Sequence, residues 1–224
     1  FDRDYLQVQK ILKEGNLGNI KEVEIRFDRY RTEASGKEHK EDPTKAGSGT
    51  LHDLGAHLID QATQLFGFPE KIFADVFSMK GPEFANDYFE ILLYYKNEMR
   101  VRLKSSVFAK EANSAYIIHG EKGSFLQERS DAQESELVAN AIPTYGKNWM
   151  KPLKKPDGVL NFLEEKNCWI RTQTTSEPGN YMNYYQEIYE HFVFGKTLPS
   201  TGFEVIQNMK IIDAALESSE KGRI

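Results

Sequence analysis

Asp53 and His57 stand four residues apart in a segment with helical periodicity, and their types and spacing point most directly to chemistry. Side chains at this spacing are neighbours on one face of an α-helix. A carboxylate beside an imidazole accepts the proton of one ring nitrogen and stabilises the cation that forms when the other nitrogen takes a proton. Because histidine titrates near ~6.5, the pair predicts a general base that works around neutral pH.

The segment around the pair predicts an amphipathic helix. At about 100° per residue its apolar residues gather on one side, and these are Leu51, Leu54, Leu58, Ile59, Ala62, Leu65 and Phe66. The opposite side carries Asp53, His57, Asp60 and Gln64. Gly47 and Gly49 allow a tight turn into the helix, and Gly55 leaves room for a neighbouring backbone or a flat ligand.

Spacing alone leaves two blander interpretations open. The motif Asp-x-x-x-His also occurs on exposed helices as a surface pair, which contributes about a few tenths of a kcal/mol. A metal site would add His52 or His39 to the pair, but such a site needs three or four convergent donors. His52 projects toward a different side of the helix, so we predict no metal site.

The rest of the chain predicts helices around a mainly antiparallel sheet. Apolar residues at helical spacing over residues 4–14 stop at Gly15, and alternation over residues 22–27 is typical of a strand buried on one face. Within residues 71–128, alternating runs are joined by turns too short for a parallel crossover. We therefore expect neighbouring strands there to be antiparallel.

Two predicted helices close the chain, and we assign both of their apolar stripes to the core. Asn180 caps the first helix, which ends at Gly195. Thr201-x-x-Glu204 is a capping box for the second, which runs to Gly222. Residues 129–178 are poorly periodic and contain several prolines, so we predict a long excursion or a lid there.

The composition excludes several classes of protein. The 224 residues include 29 Lys and Arg against 34 Asp and Glu, and this net charge of −5 argues against nucleic acid or anionic membranes as partners. The longest apolar run, residues 91–95, is far shorter than the ~20 residues of a membrane-spanning helix. The single Cys168 can form no internal disulfide, so we expect a reducing, cytoplasmic compartment.

A glycine-rich signature opens the helix of Asp53 and His57. Residues 47–60 read Gly-Ser-Gly-Thr-Leu-His-Asp-Leu-Gly-Ala-His-Leu-Ile-Asp. This stretch resembles the Gly-Gly-Gly-x-Leu-x-Asp-x-Gly-x-His-x-x-Asp signature of the Gfo/Idh/MocA family, which includes glucose–fructose oxidoreductase and inositol dehydrogenase. Ser48 stands where the signature has its second glycine. Residues 18–23, 118–123, 185–199 and 211–219 are similar to other stretches of the family, so the likeness covers nearly the whole chain.

The resemblance implies an α+β fold, with an open-faced, mainly antiparallel sheet and helices packed on one face. In that family an N-terminal Rossmann domain binds NAD or NADP, and catalysis uses a lysine of a Glu-Lys-Pro motif with the signature Asp and His, here Asp53 and His57. Neither that motif nor a nucleotide-binding fingerprint occurs in this sequence. We therefore interpret residues 1–224 as a substrate-binding and oligomerisation domain, inactive without the Rossmann domain.

Together these features predict that the parent protein is an NAD(P)-dependent dehydrogenase of a sugar or a polyol. His57 takes the hydroxyl proton as hydride leaves the same carbon, while Asp53 orients His57 and, as the resemblance implies, holds the missing lysine. The candidates for hydrogen bonds to the substrate are Arg29, Tyr30, Arg31, Tyr145, Asn148 and Trp149. The identity of the substrate and the choice between NAD and NADP stay open.

Two further roles are compatible with the sequence. The same fold could serve as a non-catalytic module that senses a sugar or a nucleotide, although the presence of both Asp53 and His57 argues against it. One sheet face is predicted to carry Glu90, Leu92, Tyr94, Arg100, Arg102 and Lys104. Such a face is often merely solvated. In the resembled family it packs against another subunit, so we expect a homodimer or homotetramer.

Overall fold

A computed structural model describes residues 1–33, 36–111, 113–143, 149–165 and 167–223. Its helices are α1 (Arg3–Glu14), α2 (Glu38–Glu41), α3 (Ala56–Phe66), α4 (Gln133–Val138), α5 (Met182–Phe194) and α6 (Gly202–Lys221). Its strands are β1 (Ile20–Arg26), β2 (Lys71–Phe77), β3 (Tyr88–Tyr94), β4 (Arg100–Ser106), β5 (Tyr116–Gly120), β6 (Gly123–Gln127), β7 (Gly158–Glu165) and β8 (Cys168–Thr174). A π-helical turn, Leu51–Gly55, leads directly into α3. Among the residues described, no helix is long and apolar enough to cross a bilayer.

The strands form an eight-stranded sheet in the order β2-β3-β4-β1-β5-β6-β7-β8. The pairs β2·β3, β3·β4, β6·β7 and β7·β8 are antiparallel. Strands β1 and β4 are parallel, with Val23 opposite Val101 and Ile25 opposite Leu103. The chain between them contains α3 and two other strands, which is ample for a crossover. The prediction of an α+β fold with a mainly antiparallel sheet is confirmed.

The chain divides into two compact units. The first unit consists of Phe1–Asn19 and Gly120–Gly202, and the second consists of Ile20–His119 and Phe203–Ile224. In the second unit, residues of β1, β3 and β4 alternate between fully buried and partly exposed. The fully buried set includes Val23, Ile25, Phe89, Ile91, Leu93, Val101 and Leu103. Helix α3 covers this face with Leu58, Ile59 and Ala62, so one amphipathic helix and one sheet face make the core.

Helix α6 covers the free edge of the same sheet. Ile212 and Ala215 are fully buried, but Val205, Met209 and Leu216 are exposed, so the predicted assignment of the whole α6 stripe to the core is wrong. The backbone N–H of Ala74 donates to Ser218 Oγ at 3.0 Å, and that of Val76 donates to Ser219 Oγ at 2.9 Å. These bonds satisfy donors of edge strand β2 that would otherwise be open to another chain. The end of α6 therefore closes this edge.

The described part of the region 129–178 contains regular secondary structure, and the long excursion or lid stays a prediction. It contains α4 and the antiparallel hairpin of β7 and β8, which extends the sheet of the first unit. Asp157 ties the region to β6 because its Oδ2 accepts hydrogen bonds from Gln127 Nε2 at 2.7 Å and Ser130 Oγ at 2.6 Å. The hairpin is missing from the prediction because most of β8 is exposed and its outward residues are polar, so apolar alternation is weak.

The predicted bounds of α5 are confirmed, but its assignment to the core is wrong. The helix follows Asn180, whose Oδ1 accepts the N–H of Met182 at 3.0 Å, and ends at Gly195, whose φ of 68° is left-handed. None of its thirteen residues is buried. Helical spacing of apolar residues shows that a helix has a face to cover, not which part of the molecule covers it.

Candidate functional site

A tight loop at Gly47 and Gly49 precedes the π-helical turn that contains Asp53. Gly47 and Gly49 have φ of 78° and 88°, which confirms the predicted need for glycine at both positions. Asn86 anchors the loop through two hydrogen bonds. The backbone carbonyl of Asn86 accepts the backbone N–H of Thr50 at 2.7 Å, and the side-chain Oδ1 of Asn86 accepts the backbone N–H of Leu51 at 2.8 Å. Asn86, a residue far along the chain, therefore holds the start of the π-helical turn in place.

Gly49→Ala should lower the free energy of unfolding by about 2–4 kcal/mol, because it adds backbone strain and displaces the Asn86 amide. A Cβ at this position would lie 2.4 Å from Asn86 Nδ2. The matched control is Gly47→Ala, which has similar φ but nothing within 4 Å of the new Cβ. The control should cost only about 1 kcal/mol of strain. Urea unfolding of the three proteins measures both values, and equal losses would contradict the role of Asn86.

A π-helical turn, rather than α-helix, places Asp53. Leu51 and Leu54 point into the core, Asp53 is half-buried, and His57 on the first turn of α3 is exposed. Such turns are rare and frequently occur at functional sites. Gly55 does not make room for a ligand as expected. It is buried, and an added Cβ would lie 2.9 Å from Leu51 Cδ1, so glycine there serves core packing.

Lys40 is the hydrogen-bond partner of Asp53. Its Nζ donates to Asp53 Oδ1 at 2.5 Å, and about two fifths of each side chain is exposed, 43% and 37%. The Lys40 carbonyl also accepts the N–H of Gly49 at 2.9 Å. Among the described residues no hydrogen bond joins Asp53 to His57, although their spacing predicts one. Lys40 therefore holds both the loop and the carboxylate.

The electrostatics keep Asp53 ionised. Burial raises the pKa of Asp53, but the hydrogen bond from Lys40 and the charges of Lys40, Arg29 and His57 outweigh it and hold the pKa below its ordinary value. Asp53 and His57 thus interact through their charges. The structure brings together three residues that the sequence analysis singled out, Arg29, Asp53 and His57, and adds Lys40, which it did not.

A second carboxylate, Asp60, interacts with His57 through its charge. Burial raises its pKa above the ordinary value, while a hydrogen bond from Asn208 and the charge of His57 act against that rise. Asn208 Nδ2 donates to Asp60 Oδ1 at 3.0 Å, and Asn208 Oδ1 accepts from Thr63 Oγ1 at 3.0 Å. Asn208 belongs to α6, so its role was not visible in the local sequence.

The His57 ring itself has no hydrogen-bond partner within the described part of the chain. An exposed imidazole without a hydrogen-bond partner has a ring nitrogen available for a substrate proton. His52, by contrast, is bound through Nδ1 to the carbonyl of Ser48 at 3.0 Å. No group of three or more potential metal ligands occurs among the residues that the structure describes.

The remaining predicted substrate residues that the structure describes have no described contact with Asp53 or His57. Tyr30 bridges to Phe108, and Lys110 Nζ lies 4.7 Å from the centre of its ring. Arg31 is exposed, and its backbone N–H donates a hydrogen bond to the carbonyl of Val107. Trp149 belongs to the first unit, where its ring lies 6.4 Å from that of Tyr181.

Two of the predicted substrate residues, Tyr145 and Asn148, lie outside the described residues. Of the six candidates, Arg29 alone has a described interaction with the Asp53–His57 pair.

Comparisons with known proteins place the chain in a family. Residues 9–224 match the model of the Gfo/Idh/MocA oxidoreductase family, C-terminal alpha/beta domain. All of the chain aligns with scyllo-inositol 2-dehydrogenase (NADP(+)) IolW of Bacillus subtilis at 33% identity, and with the oxidoreductase YhhX of Escherichia coli at 30%. The chain covers 61% and 62% of these relatives, or about three fifths of their length.

A solved structure agrees with these matches. The Bacillus subtilis oxidoreductase YvaA superposes with a TM-score of 0.89 at 31% identity, over 99% of this chain and 62% of that one. The fold, the signature and the matched length lead to one assignment. The chain belongs to the Gfo/Idh/MocA oxidoreductase family, as its C-terminal α/β domain.

Proposed function

We propose that this chain is the substrate domain of an NAD(P)-dependent dehydrogenase that acts on a CH–OH group of a sugar or polyol. The observation that carries the proposal is the exposed His57, flanked by Asp53 and Asp60 and without a hydrogen-bond partner of its own among the described residues. The similarity to a dehydrogenase of scyllo-inositol supports a cyclic polyol as the first substrate to test.

In the proposed reaction His57 accepts the proton of the substrate hydroxyl at its free ring nitrogen. The C–H bond of the same carbon breaks with its electron pair, and the carbon–oxygen double bond forms. A bound oxidised nicotinamide supplies the hydride acceptor. Asp53 and Asp60 stabilise the imidazolium that results, and in the reverse direction that imidazolium returns the proton to the carbonyl oxygen.

The residues of this chain fit a nicotinamide cofactor bound mainly by another domain. The site offers a proton acceptor at the surface, as a hydride transfer needs, while the sequence has no Gly-x-Gly-x-x-Gly to hold a pyrophosphate. Lys40 and Arg29 supply positive charge to Asp53 and lower the pKa of that carboxylate. NAD or NADP therefore belongs to the proposal, with NADP favoured by the named relative.

The test uses the full-length polypeptide with NAD⁺ and with NADP⁺ against scyllo-inositol and a panel of sugars and polyols. We expect reduced nicotinamide to form with at least one member, and none to form with the 224-residue chain alone. Binding of a sugar or a nucleotide without any turnover would instead support the sensing role. Turnover by the isolated chain would contradict the assignment of the cofactor to another domain.

We further propose a homodimer or homotetramer through the open sheet face, in a reducing, cytoplasmic compartment. The proposed face is lined by Glu90, Leu92, Tyr94, Arg100, Arg102 and Lys104, which alternate with buried residues. Glu90 forms an ion pair with Arg102, with Nε and Oε1 3.0 Å apart, and accepts a hydrogen bond from Lys104 Nζ at 3.1 Å. The charges are therefore paired across strands, and their burial costs less. Light scattering of the full-length protein should give at least twice the chain mass. A strict monomer would contradict the interface.

A further inference from the structure

Helix α6 carries an amide on the face that it buries. The buried residues of this helix are Asn208, Ile211, Ile212, Ala215 and Ser218. They recur at the spacing of a single helix face, and Asn208 stands where that pattern favours an apolar residue. Asn208 is only 7% exposed. A buried amide costs free energy unless it finds hydrogen-bond partners, so packing alone does not explain this residue.

Helix α3 supplies a partner for each end of the Asn208 amide. Thr63 Oγ1 donates to Asn208 Oδ1 at 3.0 Å, and Asn208 Nδ2 donates to Asp60 Oδ1 at 3.0 Å. The carboxylate fixes the orientation of the amide, because the reversed amide would place its oxygen against the oxygen of Asp60. An N–H donor from a helix far along the chain is thus aimed at Asp60.

Asp60 depends on this donor for its charge. The residue is half-buried, and burial raises the pKa of its carboxyl group above the ordinary value. The hydrogen bond from Asn208 and the charge of His57 lower this pKa, while the charge of Glu204, in the first turn of α6, raises it. Of the groups that lower the pKa of Asp60, Asn208 has the largest effect. A donor to the carboxylate favours its ionised form.

We propose that Asn208 is a positioning residue for the proposed reaction: it holds the Asp60 carboxylate ionised and in one orientation, so that its charge acts on His57. Asp60 and His57 are three residues apart in α3, a spacing that places side chains on one face of a helix. Asn208 acts through Asp60 and touches none of the reacting atoms. The inference rests on the proposed function for the role of His57, and on the two hydrogen bonds for the role of Asn208.

A titration of Asp60 tests the contact without any assay of turnover. In the wild-type 224-residue chain, the Nδ2 proton resonances of Asn208 should move with pH at the same midpoint as the carboxyl carbon of Asp60, both measured by NMR. In Asn208→Leu, which fills the site without a donor, the pKa of Asp60 should rise further above its ordinary value. Different midpoints in the wild type, or an unchanged pKa in the variant, would overturn the proposal.

Kinetics of the full-length polypeptide test the consequence for the reaction. Asn208→Leu should lower kcat about tenfold, since Asp60 then supports the His57 cation less well, and should leave the Kd of the nicotinamide cofactor unchanged. The matched control is Ser218→Ala, a buried residue of the same helix whose Oγ accepts the backbone N–H of Ala74. This control should lower the urea midpoint by removing that bond, while kcat and the pKa of Asp60 stay at their wild-type values.

Two kinetic results would overturn the positioning role. An unchanged kcat in a folded Asn208→Leu protein would show that Asp60 acts on the reaction without this donor. An equal loss of kcat in Ser218→Ala would assign the effect to a general loosening of α6. Absence of turnover in every protein, with the pKa of Asp60 raised in Asn208→Leu, would uphold the contact while the proposed function fails.

Discussion

Replacing His57 with alanine in the full-length polypeptide is expected to lower kcat by about 10²–10⁴-fold, since the substrate hydroxyl then has no acceptor for its proton. The Kd of the nicotinamide cofactor should be nearly unchanged, because the proposal assigns its binding mainly to the upstream domain. The imidazole is exposed and makes no hydrogen bond within the described chain, so the free energy of unfolding should change by less than about 0.5 kcal/mol.

Steady-state kinetics on the substrate identified by the panel, together with cofactor titration by fluorescence, measure these two quantities. The matched control is His52→Gln, five residues earlier, where the ring is bound to the carbonyl of Ser48 instead of facing solvent freely. That variant should keep kcat within about threefold, as expected for a change away from the reacting groups. A His57→Ala protein with the kcat of the wild type would remove the proposed general base.

The sheet of the second unit was predictable because burial of one face imposes a period of two. Phe89, Ile91 and Leu93 alternate with Glu90 and Leu92, and the structure buries the first set completely. The turn at Lys96–Glu98 is short, so the next strand had to return antiparallel. The β7–β8 hairpin lacks this signal because an edge strand with polar outward residues needs no apolar alternation.

The site was predictable only as far as local spacing reaches. Asp53 and His57 were found together because four residues make one helical turn. Lys40 and Asn208 were not found, because a loop and a distant helix bring them to Asp53 and Asp60. The π-helical turn was also missed, because the helical spacing of Leu51 and Leu54 does not distinguish a π-helical turn from an α-helix.

The stripe of α5 illustrates a different limit. Its apolar residues have the period of a core helix, and the period was read correctly, but the partner they require is absent from the residues described. A helical period of apolar residues thus indicates that one face of the helix is covered, but it does not indicate what covers that face.

Asp53→Asn is expected to lower kcat by about 10–100-fold, because it removes one of the two charges that stabilise the His57 cation. Lys40→Met should lower kcat by a smaller factor, about 5–10-fold, by leaving the carboxylate without its hydrogen-bond partner. Since both changes act through the same carboxylate, the double variant should be no slower than Asp53→Asn alone. Multiplicative losses would show that Lys40 acts on the reaction by another route.

The pH dependence separates this role from a merely structural one. Lys40 lowers the pKa of Asp53, so Lys40→Met should raise it toward its ordinary value, and Lys40→Arg should restore the low value. Carbon-detected NMR titration of Asp53 in the 224-residue chain measures this shift without any assay of turnover. An unchanged pKa in Lys40→Met would mean that the ion pair is not formed in solution.

The same pair makes a small and pH-dependent contribution to stability. A carboxylate whose pKa is lower in the folded state stabilises the fold fully above its ordinary, unfolded-state pKa, and loses that contribution as pH falls through the folded-state value. Both side chains are more than a third exposed, so wild type and Lys40→Met should differ by less than about 1 kcal/mol at neutral pH. Urea unfolding should show that difference vanish below the titration of Asp53. A difference that persists in acid would come from the packing of the Lys40 stem instead of its charge.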